Sequence, residues 1–425
     1  MAASDWCTAA TKPQREILSN AWAWPVPRTS SFEGSRVAFC RQFAFWAEKL
    51  VEYFSPLFAM FTIPCTLTFR LRRQALLLCV GLVAWGGVHA ANPSGSSAAA
   101  PYKLRVVGGL ATINQYTRQE EPFWSKELSR LSGGRFQAEI VPFDRAGVPG
   151  NEMLRLLQLG VVPFGTTLMS SFTSQYPEYT APDLAGLNPD IATLKATLGA
   201  FRPYLEKALR EQHGVEALAI YVYPAQVVFC KKQLRALSDL SGRRVRVSSS
   251  TQADFVGALG GVPVLTSFSQ IVPSLTAGNT ECAITGTMSG NMLGLPSLTS
   301  HVHTLPVTWG LAIFGANQAA WAGLPSDLRE LLKRELPRLE SAIWAESERE
   351  TAEGLACNRG ASTCTGGTKG AMVVVPASPQ DERSRQEILA STVLPRWVQR
   401  CGARCAQTWN QTIGPARGLL AAPVK

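Results

Sequence analysis

Residues 242–250 read GRRVRVSSS, with three arginines inside four positions and two valines set among them. Side chains alternate along a strand, so Arg244 and Arg246 share one face and Arg243 takes the other. A charge run of this kind is ordinarily a solvated face. Arg246 differs from its neighbours, because Val245 and Val247 flank it and an unpaired charge among buried side chains is costly. A guanidinium in that setting suits a carboxylate, which it meets through two parallel charge-assisted hydrogen bonds.

The residue types that would make an enzyme do not assemble. Beyond residue 90 the histidines are His213, His301 and His303. His213 ends a polar helical stretch and reads as a surface residue. His301 and His303 could offer two metal ligands from one strand, but no third ligand sits at a recognisable spacing. Gly286–Gly290, GTMSG, resembles a nucleophile elbow only in outline, its serine one residue late for G-x-S-x-G. Neither a P-loop nor G-x-G-x-x-G is present. Glu120 and Glu121 fall in the first turn of a helix, where the helix dipole accounts for them. No catalytic residue, metal or cofactor is assigned, and binding fits better than turnover.

Ten cysteines occur, of which Cys230, Cys282, Cys357, Cys364, Cys401 and Cys405 lie beyond residue 90. An even number in an oxidising compartment favours disulfides. Local closure suggests Cys357–Cys364 and Cys401–Cys405, leaving Cys230 and Cys282. Cys401 and Cys405 stand at helical spacing, so their bridge needs a local distortion. A four-cysteine zinc site is the rival, and the spacings fit zinc motifs poorly.

The compartment follows from residues 70–101, RLRRQALLLCVGLVAWGGVHAANPSGSSAAAP. Arg70, Arg72 and Arg73 form a positive region, Ala75 to Trp85 an apolar run, and Val88-His89-Ala90 a small-x-small cleavage site. The apolar run is shorter than the roughly 20 residues that span a bilayer. An export signal at 60–90, cleaved after Ala90, and a periplasmic location are expected. Met60 stands just upstream, so 1–59 reads as a non-native upstream extension. Residues 91–101 read as a flexible leader.

Composition narrows the class. With 46% apolar and 17% charged residues, the chain suits a globular core and not wholesale disorder. Its net charge of +10 is spread without a basic block or an aromatic-interleaved stripe, so no nucleic-acid partner is expected.

Strands and helices then alternate. KLRVVGG reads as a strand, QEEPFWSKELSRLSGG as a helix and RFQAEIVPF as a strand. GNEMLRLLQLG is a helix capped by Asn151, and VVPFGTTLMS a strand. A helical pair broken at Pro203 precedes strands VEALAIYVY and AQVVFCKK. RRVRVSS, VPVLT and ECAITG continue the strands. A long helix follows Pro325, with a kink expected at Pro337, and Ser378 with Pro379 starts another. Alternating units of this sort predict α/β architecture with mostly parallel sheets in two lobes. Lobe I is expected at 102–223 plus about 308–350, and lobe II at 224–307 plus about 351–425. Ligands of such folds sit beyond the carboxyl ends of strands, which places Gly109, Ser170, Gln226, Arg246 and Thr285 together.

From Leu104 to Gly414 the chain resembles the extracytoplasmic solute-binding proteins of TRAP transporters, the DctP family. The resemblance rests most on LRALSDLSGRRVRVSSSTQADFVGALGGVPVLTSFSQIVPSLTAGNTECAITG, and on the upstream FWSKELSRLSGGRFQAEIVPF and LLQLGVVPFG. It implies a two-lobed periplasmic binding protein fold of type II-like, DctP character, with a ligand cleft between lobes and a long connecting helix. It implies capture of a small carboxylate-containing solute, a small organic acid, for delivery to TRAP membrane permease subunits. A periplasmic ligand-sensing protein or an enzyme on the same scaffold is the alternative.

The resemblance also implies site residues. Arg246 falls on the family's carboxylate-binding arginine, and Phe268 where the family sets an aromatic against the ligand. Thr285 stands where many members carry asparagine, which removes one amide. Gln226 falls on a hinge-strand position that is a second arginine in some members, and its neutrality implies less negative charge on the ligand. Asn114, Tyr116 and Ser170 are the expected contributions of the first lobe.

Overall fold

A computed structural model describes residues 100–422. The expected export signal at 60–90 and the upstream segment 1–59 lie outside the described residues, as does most of the leader at 91–101.

Two sheets organise the chain. The first uses β1 (Tyr102–Gly108), β2 (Phe136–Pro142), β3 (Phe164–Leu168), β4 (Val215–Val222) and, from much later, β10 (Leu311–Asn317), in the order β2-β1-β3-β10-β4. The second uses β5 (Gln226–Cys230), β6 (Arg244–Val247), β7 (Val262–Leu265), β8 (Cys282–Gly286), β9 (His301–His303) and β11 (Val373–Val375), in the order β11-β9-β5-β8-β6-β7. Buried aliphatic and aromatic side chains of both sheets, among them Leu104, Val106, Ile220, Val228 and Val245, join one apolar core. Parallel β1 and β2 run in register from Tyr102↔Phe136 to Gly108↔Pro142. Their carboxyl ends therefore deliver the loops after Gly108 and Pro142 side by side. In the second sheet β6 lies parallel to β7 and β8, with Arg246 opposite Val264 and Ala283.

The expectation of mostly parallel sheets holds for the βαβ parts and fails at one strand in each sheet. β10 is antiparallel to β3 and β4, and β5 is antiparallel to β8 and β9. Each of these strands enters its sheet directly from the other sheet. A parallel neighbour needs a return crossover, usually a helix, whereas a strand coming straight across runs the opposite way. The two crossings pair with each other. Gln226 N donates to Thr308 O (2.8 Å), Val307 N to Gln226 O (2.9 Å) and Tyr223 N to Gly310 O (3.0 Å). Gly310 holds φ of 80°, a left-handed conformation open to glycine.

Proline did not stop two helices. α1 (Ile191–His213) runs through Pro203 and α4 (Ser326–Asn358) through Pro337, each as one helix. Buried Leu198, Phe201 and Leu205 pin α1 on both sides of its proline, and tertiary packing outweighs the lost N–H. Between them in the chain come α2 (Ser250–Ala258), capped by Ser249, and α3 (Thr287–Met292). Asn151 caps nothing, since a short turn of 3₁₀ helix, Gly150–Glu152, precedes the helix there. Ser378 caps α5 (Pro379–Ile388) as expected, with Asp381 completing a capping box.

α4 spans both halves. Along β4 its side chains stand in for a neighbouring strand. Glu340 Oε2 accepts from Ile220 N (2.9 Å) and Trp344 Nε1 donates to Ile220 O (2.8 Å). Ser347 Oγ donates to Val222 O (2.6 Å), and Thr351 Oγ1 accepts from Ala225 N on the crossing (3.1 Å). Backbone groups at a covered sheet edge need such partners. Further on, Thr287 Oγ1 of the second half donates to Glu350 O (3.0 Å). After β11, which joins the second sheet, the C-terminal run touches both halves, with Arg400 Nη2 on Asp254 of α2 (2.6 Å). Trp397 Nε1 donates to Pro177 O (2.7 Å), and residues 413–417 pack on α1. The indoles of Trp397 and Trp409 are fully buried there, which no periodicity of the second sheet would require.

All six cysteines beyond residue 90 are joined, as Cys230–Cys282, Cys357–Cys364 and Cys401–Cys405. Cys230 and Cys282 are directly opposed residues of antiparallel β5 and β8. The distortion expected at Cys401–Cys405 is a helix break at Gly402, with φ of 85°.

Candidate ligand-binding site

A cavity of about 620 Å³ opens between the strand ends of the two halves. The first half supplies Leu110, Phe143, Leu168 and Ser170, the crossings supply Tyr223, Gln226 and Gly310, and the second half supplies Arg246, Ser248, Thr266, Phe268, Thr285 and Ser289. Its position at the carboxyl ends of β1, β2, β3, β6, β7 and β8 is the general one for open α/β folds.

Arg246 lies in the wall, 3% exposed. Its Nε and Nη2 both donate to Thr266 O (3.1 and 2.8 Å), and Nη1 donates to Ile284 O (2.8 Å). Three of the five guanidinium N–H groups are therefore spent on backbone carbonyls, and the remaining two have no partner among the described residues. No carboxylate among the described residues pairs with it. Burial alone lowers its pKa to about 9, so the side chain stays charged at neutral pH, in an environment that disfavours charge. Arg244 shares the strand face but sits at the opposite end of β6, exposed, with Nε on Asn279 O (3.0 Å) and Nη2 on Gly278 O (3.0 Å). Arg243 caps carbonyls of Lys232 and Gln233 at the surface. Two residues of progress along one strand separate a wet arginine from a cavity arginine.

Gln226, Phe268, Thr285 and Ser170 all line this cavity with Arg246. Phe268 is half-buried and also touches the core. Asn114 and Tyr116 do not reach it. Asn114 Nδ2 donates to Glu350 of α4 behind the first sheet, and the Tyr116 ring lies on Gly108, where a Cβ would overlap it. Both fall on helical residues just after the β1 loop, Asn114 directly before and Tyr116 within the π-helical turn of 115–120. Gly109 stands behind the wall, its N–H donating to Glu120 Oε2 (3.2 Å).

Glu120 is not the solvated first-turn acid its position implied. It is buried, held by Gly109 N, Thr166 Oγ1 (2.7 Å) and Gln115 Nε2 (2.9 Å), and burial raises its pKa to about 7. His213 likewise leaves the surface. It is 5% exposed, with Nε2 2.9 Å from Tyr179 Oη and its ring edge-on to Tyr176. His303 is buried against Asp381 at 3.4 Å and is not among the residues lining the cavity.

Residues that sequence reasoning missed are Leu110, Phe143, Leu168, Tyr223, Ser248 and Thr266. All follow or end a strand, so the strand-end rule held the signal for them. Tyr223 lies on a crossing whose partner strand is eighty-odd residues away in sequence, and local pattern cannot show that.

Residues 111–382 match the family described as bacterial extracellular solute-binding protein, family 7, DctP. Among solved structures, a Bordetella pertussis extracytoplasmic solute receptor binding pyroglutamic acid is 20% identical, covering 73% of this chain and 99% of its own, with a TM-score of 0.64. A TRAP periplasmic solute-binding protein from Desulfovibrio salexigens with bound orotic acid is 16% identical, covering 73% and 96%, TM-score 0.64. One from Shewanella oneidensis with bound succinate is 17% identical, covering 73% and 98%, TM-score 0.62. Identities of this size establish a shared fold.

Proposed function

We propose the function from one premise: the chain belongs to bacterial extracellular solute-binding protein family 7, the DctP family. Members are binding receptors for solutes, and the chain works by capture and not by catalysis. The solute proposed is a small organic acid, held by its carboxylate on Arg246 and delivered from the periplasm to TRAP membrane permease subunits.

One observation carries this reading. Arg246 is a buried cation with spare donors on a cavity wall and no carboxylate of the described residues paired with it. Leaving a buried charge uncompensated is costly, and an anionic solute relieves that cost on arrival. The two crossings and α4 link the halves, which suits hinge closure over a bound solute. Closure would exclude water and strengthen the ion pair, because the local dielectric falls. The solved relatives hold pyroglutamate, orotate and succinate, all carboxylates, which supports the class without choosing the member. Gln226, Phe268, Thr285 and Ser170 are assigned as further contacts.

The test is a thermal-shift screen of ligand-stripped protein against organic acids and neutral solutes, beginning with those three. Binding raises apparent stability by mass action. The reading requires an acid to raise Tm; a rise with neutral sugars or amines alone would contradict it.

A further inference from the structure

We infer that the cavity selects a singly charged carboxylate that also carries an uncharged oxygen acceptor, and that Gln252, outside the cavity, sets this choice by fixing which end of the Gln226 amide faces the solute. The inference rests on the carboxylate reading of Arg246.

The orientation of Gln226 can be worked out from a group whose role is unambiguous. Ser248 N is a backbone donor, and it gives its proton to Gln252 Oε1 at 2.8 Å, with Ser248 Oγ on the same oxygen at 3.1 Å. That fixes the oxygen end of the buried Gln252 amide, so its Nε2 must donate. It reaches Gln226 Oε1 and Thr308 Oγ1, both at 2.7 Å. Thr308 Oγ1, having accepted there, passes its own proton to Gln226 Oε1 at 3.1 Å. The oxygen of Gln226 is thus engaged by two donors. Its Nε2 faces the cavity with no partner among the described residues. Gly310 leaves the space it occupies, since a Cβ there would overlap Nε2.

The charges complete the selection. Among the residues lining the cavity, the charged ones are Arg246 and Asp144. Asp144 is exposed at the rim, where its Oδ1 accepts from Ala111 N (3.0 Å). One buried cation balances one carboxylate. A second carboxylate would lose water beside neutral hydroxyls and a rim anion, with nothing to balance it. The second fixed donor is neutral, so it suits a keto, lactam or hydroxyl oxygen. A solute lacking that oxygen leaves the Gln226 amide unpaired in a closed cleft, which costs affinity.

The test uses ligand-stripped, full-length exported protein and acids of four, five and six carbons, each as the alkanoate, the oxo-alkanoate and the alkanedioate, with Kd read by calorimetry. The oxo acid should bind at least about tenfold tighter than the alkanoate of its length, the loss of one hydrogen bond to a desolvated donor, and the diacid should bind more weakly still. A diacid matching its oxo acid, or an alkanoate matching it, overturns the inference while leaving the carboxylate reading standing. No binding by any of the acids overturns both. Gln252→Glu still accepts from Ser248 N but turns the Gln226 amide; its added charge lowers the affinity of every acid, while the ratio of oxo-acid to alkanoate affinity should fall to about one, and an unchanged ratio contradicts the role of Gln252. If that variant does not fold, Gln226→Met removes the donor at similar length and must give the same loss.

Discussion

Arg246 and Thr266 are joined twice, through Nε at 3.1 Å and Nη2 at 2.8 Å, both to the single carbonyl oxygen of Thr266. Thr266 follows β7 at the edge of the second sheet, and Arg246 lies on the adjacent β6. The edge strand therefore sets the plane of the guanidinium, while Ile284 O on the other side fixes its tip. A cation so held is oriented before any ligand arrives, which lowers the entropic cost of binding.

The backbones of α4 and α3 approach closely at Gly354. A Cβ on Gly354 would overlap the backbone of Thr287 and Met288, so Gly354→Ala must push the helices apart. The expected loss is about 1–3 kcal/mol, as for overpacking, read as a lower midpoint in urea unfolding. An unchanged midpoint would mean the helix contact is looser than described.

Glu350, on the same helix, gives the protein a pH dependence. Burial raises its pKa from 4.5 to about 7, helped by Glu346 and Glu353 and opposed by the Asn114 amide and Arg118. The folded state thus holds a proton that the unfolded chain releases. Its contribution to stability is complete below pH 4.5 and is lost as pH rises to about 7. Glu350→Gln keeps an acceptor for Asn114 without the charge. Relative to the parent, this variant should gain stability as pH rises across that window and level off above it. A constant difference between pH 4.5 and 8, measured by urea unfolding at about half-unit steps, would contradict the assignment.

The Cys230–Cys282 bridge closes a sequence separation of 52 residues within the sheet that carries Arg246. A loop of that length corresponds to about 4 kcal/mol in the chain-entropy account. Replacing both cysteines by alanine should lower the urea midpoint accordingly and weaken solute binding less than it weakens folding. Thiol titration of the unfolded, unreduced protein should find this pair blocked; free thiols at both positions would contradict the bridge.

Much of this was legible in the sequence because burial imposes local pattern. The runs at 102–108, 136–142 and 282–286 are apolar enough to announce buried strands, and Ser378 with Pro379 announced a helix start. Arg246 could be singled out because two valines flank it. What escaped depends on distant pairing. Nothing near 226 reveals that Gln226 will face Thr308, or that β5 and β10 will each run against their sheet. Asn114 and Tyr116 are not among the residues lining the cavity, and Glu120 is buried by bonds from Gly109, Gln115 and the distant Thr166, which no local pattern near 120 reveals. Pro203 misled because packing on both sides can hold a helix through a proline.

Capture of an acid turns on the charge at position 246. The measurement that tests it most directly is the Kd of the tightest-binding acid for parent protein and for Arg246→Ala, by isothermal titration at one ionic strength. Loss of the desolvated charge pair should cost on the order of 2–5 kcal/mol, with Tm of the unliganded variant at or above that of the parent. An Arg246→Ala protein that binds the same acid with the affinity of the parent would contradict the assignment of this site.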